Sequence, residues 1–364
     1  MIAALMVLLL GLVVSAAVPA GALPLVNRVR PSTVVPLLAV GSVISAASVG
    51  VMLSLLAMAV VGRVPAVAAL GGWSITTLAV AVPVPLAVGV PAAALAAFLL
   101  ARTLWRAAHI LLLLGRSDRL SRRLRGGGGP IVVIDDLSAD AFTLAGLKGA
   151  VVISRDLLDA LGPAERHMLT GHEMSHLRWR HHLYVHAVDL AVAANPLLSA
   201  AADAVRLGVE RWADEDAARL IGDRGVAATA LARTALVRAS LRRAARRDAR
   251  ATLPVLALVG SHVADRARAL LAPAPRGAAP TAFMATLLIA TIVATVASTL
   301  QIHNGFEHAE TAWLTGSHAS SHRPARPQDR GTAHAITVVG RISRTRSAGR
   351  DRGDGRSSAR VAVR

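Results

Sequence analysis

Residues 171–182 read GHEMSHLRWRHH. Within them His172, Glu173 and His176 form an HExxH pattern. On a helix the two histidines fall one turn apart on one face, so both imidazoles can reach a single ion while Glu173 points beside it. The spacing predicts a helix bearing a metal site. With 13 histidines in 364 residues, the pattern needs a third ligand before it means more than coincidence.

Two segments offer one. An HExxHxxGxxH pattern would make His182 the third ligand, but it requires glycine where this chain has Trp179, so that the backbone can turn back to the metal. Tryptophan there predicts that the helix continues. The alternative is VERWADEDAARL at 209–220, where Asp214 follows Glu210 by one helical turn. Glu210 would be the ligand. Asp214 would accept the free ring N–H of a ligating histidine, His172 being the expected one, and so fix its tautomer. Without the HExxH upstream, the same two carboxylates would read as an ordinary charged helix face. The chain has no cysteine, so only His, Asp and Glu remain as strong ligands. Two His and one Glu suit one catalytic Zn2+ per chain with an open fourth position. His181 and His182 read as basic surface residues at the helix end, where positive charge suits the dipole, and His167 and His186 read as surface residues too.

The rest of the chain reads as a membrane protein. Hydrophobic residues make up 54% and charged residues only 17%. Four stretches, 2–26, 35–61, 73–101 and 281–300, reach the length of about 20 apolar residues needed to cross the hydrocarbon. No basic residue precedes the first, which favours a retained helix over a signal peptide. Arg28 and Arg30 follow it, only Arg63 lies in the loop 62–72, and seven arginines lie between Arg102 and Arg125. The positive-inside rule then puts the amino terminus outside, residues 102–280 in the cytoplasm and the tail outside. Pro83, Pro85 and Pro91 should kink the third span.

Residues 102–130 read as a basic amphipathic helix on the membrane surface followed by a hinge, GGGGP at 126–130. No Lys-Ser/Thr pair follows those glycines, so they are not a phosphate loop. Residues 131–280 form the expected domain that carries the metal site, in which 131–134 and 150–154 are strands of a small sheet whose edge could pair with an extended peptide. The apolar segment 183–198 should pack beneath the site, since Asp189 argues against a full span. Residues 301–364, ending in an Arg-, Ser-, Gly- and Pro-rich run, read as a disordered external tail with a short strand at AITVV. The net charge of +18 is almost all arginine, Lys148 being the only lysine, and no nucleic acid is expected as a partner.

IVVIDD, ADAFTLAG, the run KGAVVISRDLLDALGPAERHMLTGHEMSHLRWRHH, then NPLLSAAADAVRLGVERWADEDAARL and DRARALL together resemble the integral-membrane zinc peptidases of the BlaR/MecR type. They are similar, more distantly, to the HtpX type. The resemblance covers roughly residues 100–300. It implies a mainly α membrane protein: four transmembrane helices with a cytoplasmic α+β, gluzincin-like domain between the third and fourth. It also implies His172, His176 and Glu210 as zinc ligands and Glu173 as the catalytic residue.

The chain departs from BlaR/MecR receptors in lacking lysine in its tail, so the serine motif of their penicillin-binding sensor is missing. The expectation is therefore a zinc endopeptidase of the cell membrane, cutting a cytoplasmic or membrane-proximal protein such as a transcriptional repressor or itself. The rival readings are a quality-control peptidase and a non-catalytic receptor or scaffold. His262, Arg266 and Tyr184 all stand as candidates to stabilise the oxyanion.

Overall fold

The computed structural model describes residues 2–135, 140–248, 256–273 and 279–321. The chain opens with a helical hairpin, α1 (Ile2–Arg28) and α2 (Pro31–Val61). Pro31 sits in the first turn of α2, where a missing N–H costs nothing. Two short helices follow, α3 (Pro65–Gly71) and α4 (Ile75–Ala81), and then α5 (Leu86–Arg125).

The expected span 73–101 is therefore not one helix. Pro83 and Pro85 end α4, because each lacks an N–H and forces its predecessor out of helical geometry. The Arg63 guanidinium takes up the freed carbonyls, at 2.7 Å from Val82 and 2.8 Å from Val84. Pro91 lies inside α5 without ending it. Nor is there a separate surface helix after residue 101, since α5 runs unbroken to Arg125 over about 60 Å at 1.5 Å per residue. It stops at Gly126, whose left-handed φ of 47° a residue with a Cβ rarely adopts. Among the described helices, α2 and α5 are long and apolar enough to cross a membrane.

The sheet has the order β1-β3-β2, from β1 (Ile131–Ile134), β2 (Ala141–Leu144) and β3 (Ala150–Ser154). β1 runs parallel to β3 and β2 antiparallel, with Ile131 opposite Val151 and Phe142 opposite Val152. Every residue of β3, AVVIS, is buried, as a central strand covered on both faces requires. Ser154 then caps α6 (Arg155–Ala160) by accepting from Leu157 N.

The remaining helices are α7 (Pro163–Arg178), α8 (His181–Ala194), α9 (Ser199–Ile221), α10 (Arg224–Asp248), α11 (Leu256–Leu271) and α12 (Ala279–Ser321). A 3-10 turn at Pro196–Leu198 joins α8 to α9. α12 extends well beyond the span expected at 281–300, so residues 301–321 are helical where disorder was expected. AITVV falls outside the described residues.

The segment expected beneath the site borders it through Val185 and His186 and also packs beside α1 and α2. Val188, Ala191, Leu198, Val205 and Val209 share one core with Val18, Val26, Val35 and Leu38. At the tip of the α8–α9 hairpin, Asn195 donates to Ser15 Oγ (2.8 Å), which lies 2.9 Å from Ser45 Oγ, all three buried. Nearer the Arg28–Pro31 turn, a Cβ on Gly208 would come within 2.7 Å of Val35, so the absent side chain sets how closely α9 approaches. Arg211 closes this end by donating to Val26 O (2.8 Å) and Asn27 Oδ1 (2.9 Å). The hairpin thus lies along α1–α2, its tip toward their middle and its open end beside the turn between them. The described residues up to 319 form one compact unit.

Candidate metal centre

α7 begins at Pro163 after Gly162 and crosses α9 at close range. A Cβ on Gly171 would meet Ala217 Cα at 3.3 Å, so the lack of a side chain there lets the two backbones approach. The crossing sets His172 and His176 against Glu210. His172 Nε2 and His176 Nε2 are 3.1 Å apart, and Glu210 places one oxygen 3.5 Å from the first and the other 3.6 Å from the second. Tetrahedral zinc with bonds of about 2.0–2.1 Å needs its ligand atoms about 3.3 Å apart. The three groups present fit such an ion in donor type and spacing, and they form the described cluster suited to a metal.

Asp214, one turn beyond Glu210, lies with Oδ1 3.0 Å from His172 Nδ1. That bond leaves Nε2 of the same ring free to face the centre. Arg266 of α11 grips the Asp214 carboxylate with Nε and a terminal nitrogen, both at 2.7 Å, and reaches Glu210 at 3.0 Å. Burial works against the His172 imidazolium, but the Asp214 and Glu210 carboxylates overcome it and hold its pKa up at about 10. Burial and the neighbouring His172 charge push His176 down to about 4. Burial opposes the Glu210 anion as well, and His172 and Arg266 outweigh it, holding that carboxyl well below its usual range.

Glu173 is 7% exposed. Burial raises its pKa, against the stabilising pull of His172 and of Thr143. Thr143 Oγ1 lies 2.8 Å from Glu173 Oε2 and 2.9 Å from Glu173 O, a hydroxyl placed to donate to either. This contact ties β2 to the helix that carries the site. The sequence signal for it was slight, one hydroxyl in the alternating run AFTL. A cleft of about 580 Å³ opens over these groups, bordered by β2, α7, α8, α9, α10 and α11.

Other expected residues fall elsewhere. The helix does not continue through Trp179: α7 ends at Arg178, and Arg180 takes the left-handed conformation, with φ 49° and ψ 46°. Trp179 instead donates its indole N–H to Asp216 Oδ2 (2.7 Å), which also accepts from Ser175 Oγ (2.7 Å), so the break is anchored to α9. The turn happens without glycine. It sends His181 inward, 1% exposed, where a surface residue was expected. Burial pushes His181 down to about 3.

His182 lines the cleft, its ring 6.3 Å from that of His186, and is not in the ligand cluster. Of the candidates for the oxyanion, Arg266 lines the cleft, whereas Tyr184 packs 6.0 Å from Trp212 against the shared core. The side chain of His262 lies outside the described residues.

Residues 119–274 match the model of peptidase family M48. That span begins in the last turns of α5 and ends just past α11, so it takes in the sheet, His172, Glu173, His176, Glu210, Asp214 and Arg266. M48 peptidases are zinc metallopeptidases, and the match supports that family and a hydrolase activity for this segment. No curated protein and no solved structure matches the chain.

Proposed function

We propose that the protein is a membrane-embedded zinc endopeptidase that hydrolyses peptide bonds of a cytoplasmic or membrane-proximal protein in regulated proteolysis. One observation carries the reading: two imidazole nitrogens and a carboxylate converge at 3.1–3.6 Å with a buried glutamate beside them. His172, His176 and Glu210 would hold the metal. Bound zinc supplies Lewis acidity toward a peptide carbonyl and acidifies a water at its open position. Glu173 takes the proton from the attacking water and delivers it to the leaving amine. Its raised pKa suits that exchange, and Thr143 holds one of its oxygens in place.

β2 is an edge strand bordering the cleft, so an extended substrate can add to it through backbone hydrogen bonds. Arginines 28 and 30 flank the turn beside which Glu210 sits. With α1 and α2 in the bilayer and that turn inside, the centre lies at the cytoplasmic membrane face. Substrates anchored in or near the membrane reach it there. The BlaR/MecR resemblance favours a signalling role, with a repressor or the chain itself as substrate.

The test uses the full chain in detergent with a quenched-fluorescence peptide library and metal analysis. Glu173→Gln should keep its zinc and lose about 10²–10⁴-fold in cleavage rate. Glu210→Ala should lose zinc and activity together. Undiminished cleavage by Glu173→Gln would refute the peptidase reading.

A further inference from the structure

We propose that His181 is a positioning residue for the ligand His176, holding its ring and its tautomer as Asp214 holds those of His172. The inference rests on the zinc reading of the site. His181 is the first residue of α8, and the left-handed turn at Arg180 folds it back against α7. Its Nδ1 lies 3.0 Å from His176 Nδ1, the nitrogen that faces away from Glu210 and His172. The two rings meet edge to face, with centroids 5.0 Å apart at 86°. On its other side His181 lies against Trp212, centroids 4.8 Å apart, and Trp212 also contacts Trp179 and Tyr184. The imidazole is clamped between a metal ligand and an aromatic wall.

Proton bookkeeping assigns its role. If His176 Nε2 gives its lone pair to a metal, the proton of that neutral ring must sit on Nδ1, which then donates. His181 Nδ1 must accept it, and the His181 proton sits on Nε2. The opposite arrangement puts the His176 proton on Nε2 and closes that ligand to metal. His181 Nε2 is buried and has no hydrogen-bond partner among the described residues. Packing alone does not account for an imidazole here, because an apolar ring would fill the space with no stranded nitrogen. The centre is thus asymmetric: an anion backs one histidine ligand and a neutral ring backs the other.

The test measures zinc affinity of the full-length protein in detergent, by competition with a chromophoric chelator, for wild type, His181→Asn and His181→Leu. These replacements are nearly the same shape, but only asparagine offers an acceptor near the place of Nδ1. His181→Leu should weaken zinc binding roughly 10–100-fold, the usual cost of losing a partner behind a ligand, and should shift the ligand-field bands of the Co2+-loaded protein. His181→Asn should recover most of both. Equal affinities and spectra for wild type and His181→Leu, or an asparagine variant as weak as the leucine one, would overturn the assignment while leaving the zinc reading intact. A wild type that binds no zinc would overturn both.

Discussion

Thr143 illustrates how single groups tune this centre. Its hydroxyl, 2.8 Å from Glu173 Oε2, favours the carboxylate and opposes the rise that burial imposes. Removing it in Thr143→Val should raise the Glu173 pKa further. A base must be deprotonated to work, so the acidic limb of kcat/KM against pH should move to higher pH in that variant, with the activity plateau retained. Arg180 shows the opposite case, a residue with a Cβ held at φ 49°. Arg180→Gly should stabilise the protein by about 1 kcal/mol, since glycine adopts that conformation without steric cost; thermal unfolding in detergent measures it. His172, His176, Glu210 and Asp214 were legible because helical spacing alone puts each pair on one face. His181 was not. Its burial depends on a turn that no glycine announces, and a second histidine beside it made both look like helix-end cations.

At the scale of elements, glycines set the distances between helices. Gly208 leaves room for Val35 against α9, and Glu210 follows it by two residues. Gly208→Val should cost about 1–3 kcal/mol through overpacking and weaken zinc binding as well, because α9 must shift and carry Glu210 with it. A stability loss with unchanged zinc affinity would show that the metal centre tolerates movement of α9. Helix breaks were harder to foresee than helices. The prolines at 83 and 85 announced a distortion, but composition could not distinguish a kink from a full interruption. That outcome depends on Arg63, nineteen and twenty-one residues earlier, satisfying the exposed carbonyls of Val82 and Val84. Likewise α5 passes through the expected boundary at 101 because nothing between Leu100 and Arg125 breaks a helix: hydropathy changes there, and backbone preference does not.

For the whole molecule, the instructive contrast is between an inserted domain and a shared core. Charge and apolar runs divide the chain into spans and a separate peptidase region. The structure instead packs α8 and α9 into one core with α1 and α2, stitched by Asn195, Ser15 and Ser45. Contacts between segments nearly two hundred residues apart leave no local trace in a sequence. Residues 102–280 expressed alone should therefore fail to give a soluble, zinc-binding domain, whereas the full chain in detergent should bind about one zinc; metal content and circular dichroism of both decide it. Reporter fusions at Gly127 and Ser320 should read inside and outside, and the reverse would overturn the proposed orientation.

The shared core also bears on how a newly made chain comes to life. α1 and α2 leave the ribosome before α9, the last bearer of a metal ligand, and form the wall on which it must settle. On the proposed topology that wall exists only once the first hairpin has entered the bilayer. A chain stranded in the cytosol would keep only the crossing of α7 with α9 to align its ligands and would lack the wall behind α8 and α9, and so would be a protease precursor restrained by the place where it folds.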